Sequence, residues 1–350
     1  MGLAESPFLQ ACAGRIPSRT PVWILRQAGR YLPEYRAVRS RFPDFLSFIR
    51  TPEACAEVTR QPVDILGVDA AILFSDILTV LPPLGFDLAF REGEGPRISN
   101  PLRSGDGREL PLFDPVAELG YVHDAVRACR AALPPQTPLI GFAGAPWTVA
   151  CYAVDGGGGK EFSRTRAWLH SDPSGFAKVL ERIADVTADH LAAQAEAGCQ
   201  ALQIFESWGG IVAPSDYRRV ILPSVERLIA RLRERTDVPV IFYCNGASTL
   251  LGVLDGLEAN VIAIDWRMSL SVARAHVGPR TLQGNFDPCL LHASHDAIRK
   301  AVSLAHAQAA GGPWIANLGH GIMPDAPVAG LKALVDAVHA LPPVVAEIED

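Results

Sequence analysis

The stretch VPVIFYCNGASTLLGVLDGLEANVIAIDW, residues 238–266, carries the pattern that decides the fold. Two short apolar runs rich in Val, Ile and aromatic residues, Val238–Cys244 and Asn260–Trp266, enclose a longer segment with apolar residues at helical spacing. Short runs of this kind are typical of buried strands. Strand, helix and strand in succession predict a parallel sheet covered by helices.

The same alternation continues in both directions and predicts eight strands. They are Pro21–Gln27, Asp69–Phe74, Pro138–Gly144, Cys199–Glu206, Val238–Cys244, Asn260–Trp266, Thr281–Phe286 and Pro313–Leu318. Eight such units predict an α/β fold, a closed (β/α)8 TIM barrel. An open doubly wound sheet is the alternative.

The helices between the strands have recognisable starts. Thr51-Pro52-Glu53 and Pro214-Ser215-Asp216 each set proline at a first helical position, and Thr51 offers a capping hydroxyl. Surface helices are predicted over Ala293–Ala310 and Pro327–Leu341.

The interval between strands 2 and 3 is too long for one helix. Its polar segment REGEGPRISNPLRSGDGREL, residues 91–110, predicts an inserted loop or hairpin, and a helix is predicted from about Asp114 to Leu133. No shift in composition marks a domain boundary, so we expect residues 1–350 to form a single domain.

Composition excludes several classes of protein. Nearly half of the 350 residues (49%) are hydrophobic, and the net charge is -6, which disfavours nucleic acid as a partner. The first residues lack the pattern of a secretory signal, and the longest uncharged run, Gly141–Val154, is too short to span a bilayer. We therefore expect a cytoplasmic protein without a membrane partner. The seven scattered cysteines never form a CxxC pair, which disfavours a disulfide framework.

The stretch WILRQAGRYLPEYR, Trp23–Arg36, gathers arginines after an apolar run. Arg26 and Arg30 could be solvated surface charges paired with Glu34 or Asp44. The end of a barrel strand is, however, where the mouth of such a fold opens. Several guanidinium groups can bind several carboxylates, so the position favours a polyanionic small molecule.

Asp76 lies between two apolar runs, AILFS and ILTVL. A carboxylate in such surroundings stays charged only when hydrogen-bond donors or cations face it. One interpretation is a helix cap or another satisfied structural acid. The functional interpretation is an acceptor that awaits donors from a ligand.

The segment GFAGAPWTVACYAVDGGGGK, residues 141–160, combines aromatic and small residues. It does not have the spacing of a phosphate-binding loop. Trp147 is predicted to lie in the core, whereas the phenol of Tyr152 needs a partner if it is buried, which leaves a site role open.

Histidines give a weaker signal. His320 lies between two glycines in NLGHGIMPD, which favours exposure to a ligand, although a lone histidine is more often structural. His292 and His295 have a possible metal spacing without a third ligand nearby, so no metal site is predicted. Four histidines in helical patterns are predicted on the surface: His123, His190, His306 and His339.

Two long segments resemble signatures of the uroporphyrinogen decarboxylase family: PVWILRQAGRYLPEYR and GFAGAPWTVACYAVDGGGGKEF. DAAILFSDIL, IFESWGG, LQGNFDP and NLGHGI resemble further segments of that family, in its order along nearly the whole chain. The resemblance implies a distorted (β/α)8 barrel, usually a homodimer, that needs neither a metal nor an organic cofactor. It also implies a lyase of porphyrin and heme biosynthesis. This decarboxylase converts the four acetate groups of uroporphyrinogen III, an anionic tetrapyrrole, to methyl groups and gives coproporphyrinogen III.

The resemblance also implies roles for individual residues. The expected catalytic groups are Asp76, Arg26, Tyr152 and His320. The expected substrate-binding groups are Arg26, Gln27, Arg30, Asp76, Phe142, Tyr152, Ser207 and His320, with Phe142 packing on the macrocycle.

Two other functions stay open at this stage. A zinc-dependent methyltransferase on a related barrel would need His and Cys ligands near strand ends. A non-catalytic tetrapyrrole carrier would keep the arginines but would have no need for Asp76. The proton donor is also open, since Arg26, Tyr152, His320, hydronium and a substrate carboxyl are all candidates.

Overall fold

The computed structural model describes residues 2–91, 95–105, 110–111, 114–159 and 161–342. Within them the strands are β1 Ala71–Ile72, β2 Leu88–Arg91, β3 Gly95–Ile98, β4 Leu139–Gly144, β5 Ala201–Glu206, β6 Val240–Cys244, β7 Val261–Ile264, β8 Thr281–Phe286 and β9 Trp314–Leu318. Seven of them form one parallel sheet in the order β1-β4-β5-β6-β7-β8-β9. The predicted α/β class and parallel sheet are confirmed.

Helices connect and cover these strands. They are α1 Pro7–Cys12, α2 Pro33–Arg39, α3 Phe45–Ile49, α4 Pro52–Leu66, α5 Pro115–Glu118, α6 Gly120–Ala132, α7 Pro146–Asp155, α8 Ser163–Ser171, α9 Pro173–Ala197, α10 Pro214–Asp216, α11 Leu222–Arg233, α12 Ala247–Leu250, α13 Leu270–Val277, α14 His295–Gln308 and α15 Val328–His339. Among the described residues, no helix is both long and apolar enough to cross a bilayer.

The sheet is buried because both of its faces are covered. Strands β6 and β7 consist wholly of buried residues, as expected for the near-continuous apolar runs of a parallel sheet. Polar side chains inside the sheet bond to one another: Trp23 Nε1 donates to Gln283 Oε1 at 3.0 Å, and Gln283 Nε2 donates to Gln203 Oε1 at 3.1 Å. These bonds reduce the cost of burying amide groups in the core.

The strand predicted over Pro21–Gln27 is wrong as a regular strand. Only Val22 forms a bridge, in parallel with Ala316 of β9. On the other side, the carbonyl of Val22 accepts from the amide of Asp69 at 2.8 Å, just before β1. The segment therefore lies at the seam between the first and last strands of the sheet, which we call the seam segment (residues 21–25).

Side chains replace the missing ladder at this seam. The amide of Leu25 donates to Asn317 Oδ1 at 2.8 Å, and the amide of Ile24 donates to Gln27 Oε1 at 3.0 Å. Backbone groups that would pair with a neighbouring strand are thus satisfied by side chains, one from β9 and one from the segment's own turn.

One buried acid also joins parts of the chain at the seam. The carboxylate of Asp69, 4% exposed, accepts from the amide of Val22 at 2.8 Å and pairs with Arg19 and with His339 Nε2, the latter at 2.9 Å. These contacts tie the start of β1 to the seam segment and to the end of α15. His339 is partly buried, so the predicted surface position is only partly correct.

The long interval after β1 contains an antiparallel pair, β2 with β3. The residues that connect the pair, 92–94, lie outside the described part, so the predicted insertion is described only as paired strands. Residues 106–109, 112 and 113 of the same interval also lie outside it. The helix predicted near Asp114–Leu133 is present as α5 and α6.

Two further sequence predictions are corrected. His123 on α6 and His190 on α9 are buried, with ring centroids 5.5 Å apart, because these helices pack against each other. Thr51 does not cap α4 with its side chain, because its hydroxyl donates to the carbonyl of Ser47 at 3.0 Å.

Candidate active site

Asp76 lies just beyond the carboxyl end of β1, where it is partly buried. Its Oδ1 accepts the amide of Leu78 at 2.8 Å. Burial raises the pKa of the Asp76 carboxyl to about 6, while the Leu78 amide and the charge of Arg26 lower it. The charge of Arg26 therefore acts on this acid, which is largely ionised at pH 7.

Arg26 is exposed and has a φ of 63°, a left-handed conformation that is uncommon for residues other than glycine. The side chain of Gln27 stabilises this turn. Its Oε1 accepts from the amide of Ile24, and its Nε2 donates to the carbonyl of Ala70 at 3.1 Å. Gly321 packs on the arginine, because a Cβ there would lie 2.8 Å from Arg26 Nε. These contacts position the guanidinium near the carboxyl ends of the parallel strands, which we call the mouth.

Gln27 itself was expected to bind substrate. It is fully buried, and both ends of its amide are used by backbone groups. Its placement gives it a structural role in shaping the Arg26 turn.

The charges of Asp76 and Arg26 both act on Tyr152, and the charge of Arg26 also acts on His320. Burial raises the pKa of the Tyr152 phenol, with Asp76 raising it further and Arg26 lowering it. Burial lowers the pKa of His320, and Arg26 lowers it further. The charge of Arg26 thus acts on three side chains from distant parts of the chain: Asp76, Tyr152 and His320.

Aromatic side chains in contact with one another lie near the carboxyl ends of three adjacent strands. Phe142 on β4 meets Phe205 on β5 edge to face at 5.5 Å, and Phe205 meets Tyr243 on β6 at 5.7 Å between centroids. The Tyr243 hydroxyl donates to the carbonyl of Gly319 at 2.9 Å, which ties these side chains to the loop that carries His320.

Ser207 follows β5 and is fixed by a buried network. Its amide donates to Thr148 Oγ1 at 2.8 Å, and the Thr148 hydroxyl donates to Glu206. Tyr217 also donates to Glu206, at 3.4 Å, and burial raises the pKa of this acid to about 7. The carbonyl of Ser207 accepts from Asn245 Nδ2 at 3.1 Å. The network holds the turn after β5 in place.

Arg30, like Arg26, is an exposed residue of the Trp23–Arg36 stretch. Its charge acts on Tyr35, whose pKa is raised chiefly by burial and lowered by Arg39 and Arg30. In the part of the chain that the structure describes, no contact joins the Arg30 side chain to Asp76.

Arg50 and Tyr121 border the site and were not predicted. The Arg50 guanidinium lies 5.6 Å from the ring centroid of Tyr121. Burial raises the pKa of Tyr121, Arg50 lowers it, and Asp76 raises it. A cleft of about 510 Å³ opens beside them, lined in part by Phe45 and Phe90. Arg50 follows the end of α3 and Tyr121 lies in the first turn of α6, so neither position carries a strand-end signal in the sequence.

Trp266 and Arg267 follow β7 and were also missed as site residues. The Arg267 guanidinium stacks on the Trp266 ring at 4.3 Å, and Trp266 meets His320 edge to face at 6.4 Å. The signal was available, since the predicted strand ended at Trp266 and Arg267 is the next residue.

The chain is therefore an α/β protein whose acidic, basic and aromatic groups lie at the carboxyl ends of parallel strands. Active sites of such folds usually lie at these ends. Residues 3–341 match the family model described as Uroporphyrinogen decarboxylase (URO-D). The chain belongs to the uroporphyrinogen decarboxylase family.

Curated relatives agree over nearly their whole length. The protein named uroporphyrinogen decarboxylase of Trichlorobacter lovleyi is 47% identical over 337 residues, covering 95% of this chain and 98% of the relative. The one of Alkalilimnicola ehrlichii is 44% identical over 347 residues, covering 97% and 95%.

Solved structures share the fold at low identity. A methyltransferase from Methanosarcina mazei superposes with a TM-score of 0.82 at 17% identity, covering 97% of this chain and 98% of that one. A B12-independent methionine synthase from Shewanella has a TM-score of 0.54 at 9% identity, covering 84% and 89%. These likenesses concern the fold alone.

Proposed function

We propose that the protein removes carbon dioxide from the four acetate side chains of uroporphyrinogen III and gives coproporphyrinogen III. The observation that best supports this reaction is the partly buried Asp76 carboxylate beyond the end of β1, which interacts electrostatically with Arg26 and Tyr152. Family membership and the names of the relatives support the same reaction.

The substrate can supply its own electron sink. Protonation of the ring carbon beside an acetate gives a cationic pyrrole, and breaking the bond to carbon dioxide returns two electrons to that ring. The exocyclic methylene then takes a proton as the ring carbon loses one. Each cycle consumes one proton and releases one carbon dioxide.

Asp76 is the group that stabilises the cation. Its carboxylate accepts hydrogen bonds from the pyrrole N–H groups and faces the positive charge as it develops. At about 4 Å and an effective dielectric of about 20, the attraction is roughly 4 kcal/mol. If realised in the transition state, this is on the order of a thousandfold in rate.

The remaining groups bind, orient and exchange protons. Arg26 and Arg30 bind substrate carboxylates, Ser207 offers a hydrogen bond, and the Phe142 ring packs on the macrocycle. Because its pKa is raised, Tyr152 keeps its proton near neutral pH, which makes it a proton donor candidate. His320 has a lowered pKa and is neutral there, so it acts as a hydrogen-bonding group in this proposal.

The same proposal extends to architecture. The chain forms one domain in which the seam segment takes the place of an eighth strand and closes the barrel, supported by its bonds to β9 and to Asp69. A homodimer is proposed on family membership. Sedimentation at micromolar concentration tests it, and a purely monomeric species would contradict it.

Turnover of uroporphyrinogen III tests the function. Purified protein is incubated anaerobically with the substrate and a chelator, the products are oxidised to porphyrins, and the number of carboxyl groups is followed by chromatography. We expect eight carboxyl groups to fall to four. Tight binding without loss of carbon dioxide would favour the carrier instead.

A further inference from the structure

Arg267 is held rigidly at the mouth although it is half exposed. The carboxylate of Asp265 is fully buried, and its Oδ2 lies 3.1 Å from Arg267 Nη1. The same Nη1 donates to Asn245 Oδ1 at 3.1 Å, and the Trp266 ring covers one face of the guanidinium at 4.3 Å. A flexible side chain is thus restricted to one orientation.

The buried carboxylate of Asp265 has hydrogen-bond donors besides the Arg267 guanidinium. It also accepts the amides of Gly246, at 2.5 Å, and of Arg267, at 2.8 Å. The two backbone donors satisfy the buried acid. The ion pair therefore fixes Nη1 of the guanidinium, and within the described residues no protein group pairs with its Nε and Nη2.

The loop that carries His320 links Arg267 to Arg26. Gly319 lies against the backbone of Trp266, since a Cβ at Gly319 would come 2.5 Å from its nitrogen, and Gly321 lies against Arg26. Both arginines lower the pKa of His320, after the larger effect of burial. Arg267 and Arg26 thus belong to one continuous wall of the mouth.

We propose that Arg267 binds a peripheral carboxylate of the tetrapyrrole and thereby contributes to selection of highly carboxylated substrates. The inference rests on the proposed function and adds a cation from the end of β7 to those of the Trp23–Arg36 stretch. A guanidinium fixed before binding loses little conformational freedom when a carboxylate arrives.

Arg267→Gln and Arg267→Lys test this role. With uroporphyrinogen III, we expect Arg267→Gln to raise KM about tenfold and to leave kcat within about twofold, since the group binds the substrate in ground state and transition state alike. Arg267→Lys should recover part of the loss, because the charge returns without the planar geometry. Arg299→Gln removes an exposed arginine from α14 and is the matched control, expected to keep wild-type KM.

Binding of the oxidised porphyrins separates this inference from the proposed function. Fluorescence titration with uroporphyrin III, which has eight carboxylates, and with coproporphyrin III, which has four, needs no turnover. Arg267→Gln should weaken uroporphyrin binding about tenfold and flatten its dependence on salt. Unchanged affinity and salt dependence in a variant with wild-type thermal stability would overturn the role of Arg267. Failure of turnover with an intact effect on binding would overturn only the decarboxylase proposal.

Discussion

Burial of Asp76 disfavours its charged form, whereas the proposed mechanism requires that form. The same burial that raises its pKa removes water from the place where the cationic ring would form, and a drier site strengthens charge interactions. A residue kept for function at a cost in stability should show both effects when it is replaced.

The first prediction concerns rate. Asp76→Asn keeps the acceptor for the Leu78 amide but removes the negative charge, so we expect kcat to fall about a thousandfold while porphyrin affinity changes little. Single-turnover decarboxylation measures it. Asp296→Asn on the surface of α14 is the control, and full turnover by Asp76→Asn would remove this carboxylate from the mechanism.

The second prediction concerns stability against pH. The folded-state pKa of about 6 lies above the usual value of 3.8, so the folded protein binds this proton more tightly than the unfolded chain. Ionisation of Asp76 therefore destabilises the fold as pH rises from about 4 to above about 6. We expect Asp76→Asn to be more stable than wild type at pH 8, by on the order of 1 to 3 kcal/mol, and equal to it below about pH 4. Urea unfolding at both pH values measures the difference, and a gap of the opposite sign at pH 8 would show that the carboxylate is paired rather than desolvated.

At the scale of elements, the end of β5 depends on a side chain from α7. Thr148 is fully buried and accepts from Ser207 while donating to Glu206. The two elements are thus coupled by one hydroxyl, and the turn that carries Ser207 and Trp208 has its position set from α7.

The third prediction replaces that hydroxyl. Thr148→Val keeps the shape but leaves the Ser207 amide without its acceptor and the buried Glu206 carboxyl with one donor fewer, so we expect a loss of about 2 kcal/mol in unfolding free energy. We also expect kcat/KM to fall about tenfold as the Ser207 turn shifts. Thr148→Ser retains the hydroxyl and should restore most of both. Equal stability of the valine and serine variants would show that the network contributes nothing.

Local sequence predicted the elements well where apolar pattern alone determines them. The strand predicted over Thr281–Phe286 has those same bounds, and six others were placed with shifts at their ends. The seam segment failed because Asn317, nearly the whole chain away, satisfies the Leu25 amide, a contact that apolar spacing does not encode.

The site was predictable to the extent that it lies at strand ends. Asp76 and His320 both follow strands, and the charge of Arg26 acts on both, which agrees with that rule and with the family resemblance. Tyr121 was missed because it reaches the site from the first turn of α6. Burial of the Gln27 amide is not visible in sequence, and its role in substrate binding stays a prediction.

At the scale of the whole molecule, Asp69 joins three separated parts of the chain on one buried carboxylate. An ion pair confined to the surface, such as Arg60 with Asp64 one helical turn apart, joins only neighbours. The two acids therefore differ in how much structure depends on them.

The fourth prediction compares the loss of Asp69 with the loss of Asp64. Asp69→Ala should lower the unfolding free energy by about 2 to 3 kcal/mol, because the Val22 amide, the Arg19 guanidinium and the His339 ring lose their shared partner. Asp64→Ala should change it by less than about 1 kcal/mol. Urea denaturation measures both. Equal effects would mean that the seam contacts add no more than a solvated pair does.

The bond from Leu25 to Asn317 spans 292 positions. During synthesis on a ribosome, the segment that holds Arg26 therefore emerges long before the strand that completes its wall. A nascent or truncated chain that ends before β9 would present its arginines without His320, Gly321 or the seam, and should be unable to retain a porphyrin. Ligand capture would then report that translation has finished and that the two distant ends have met.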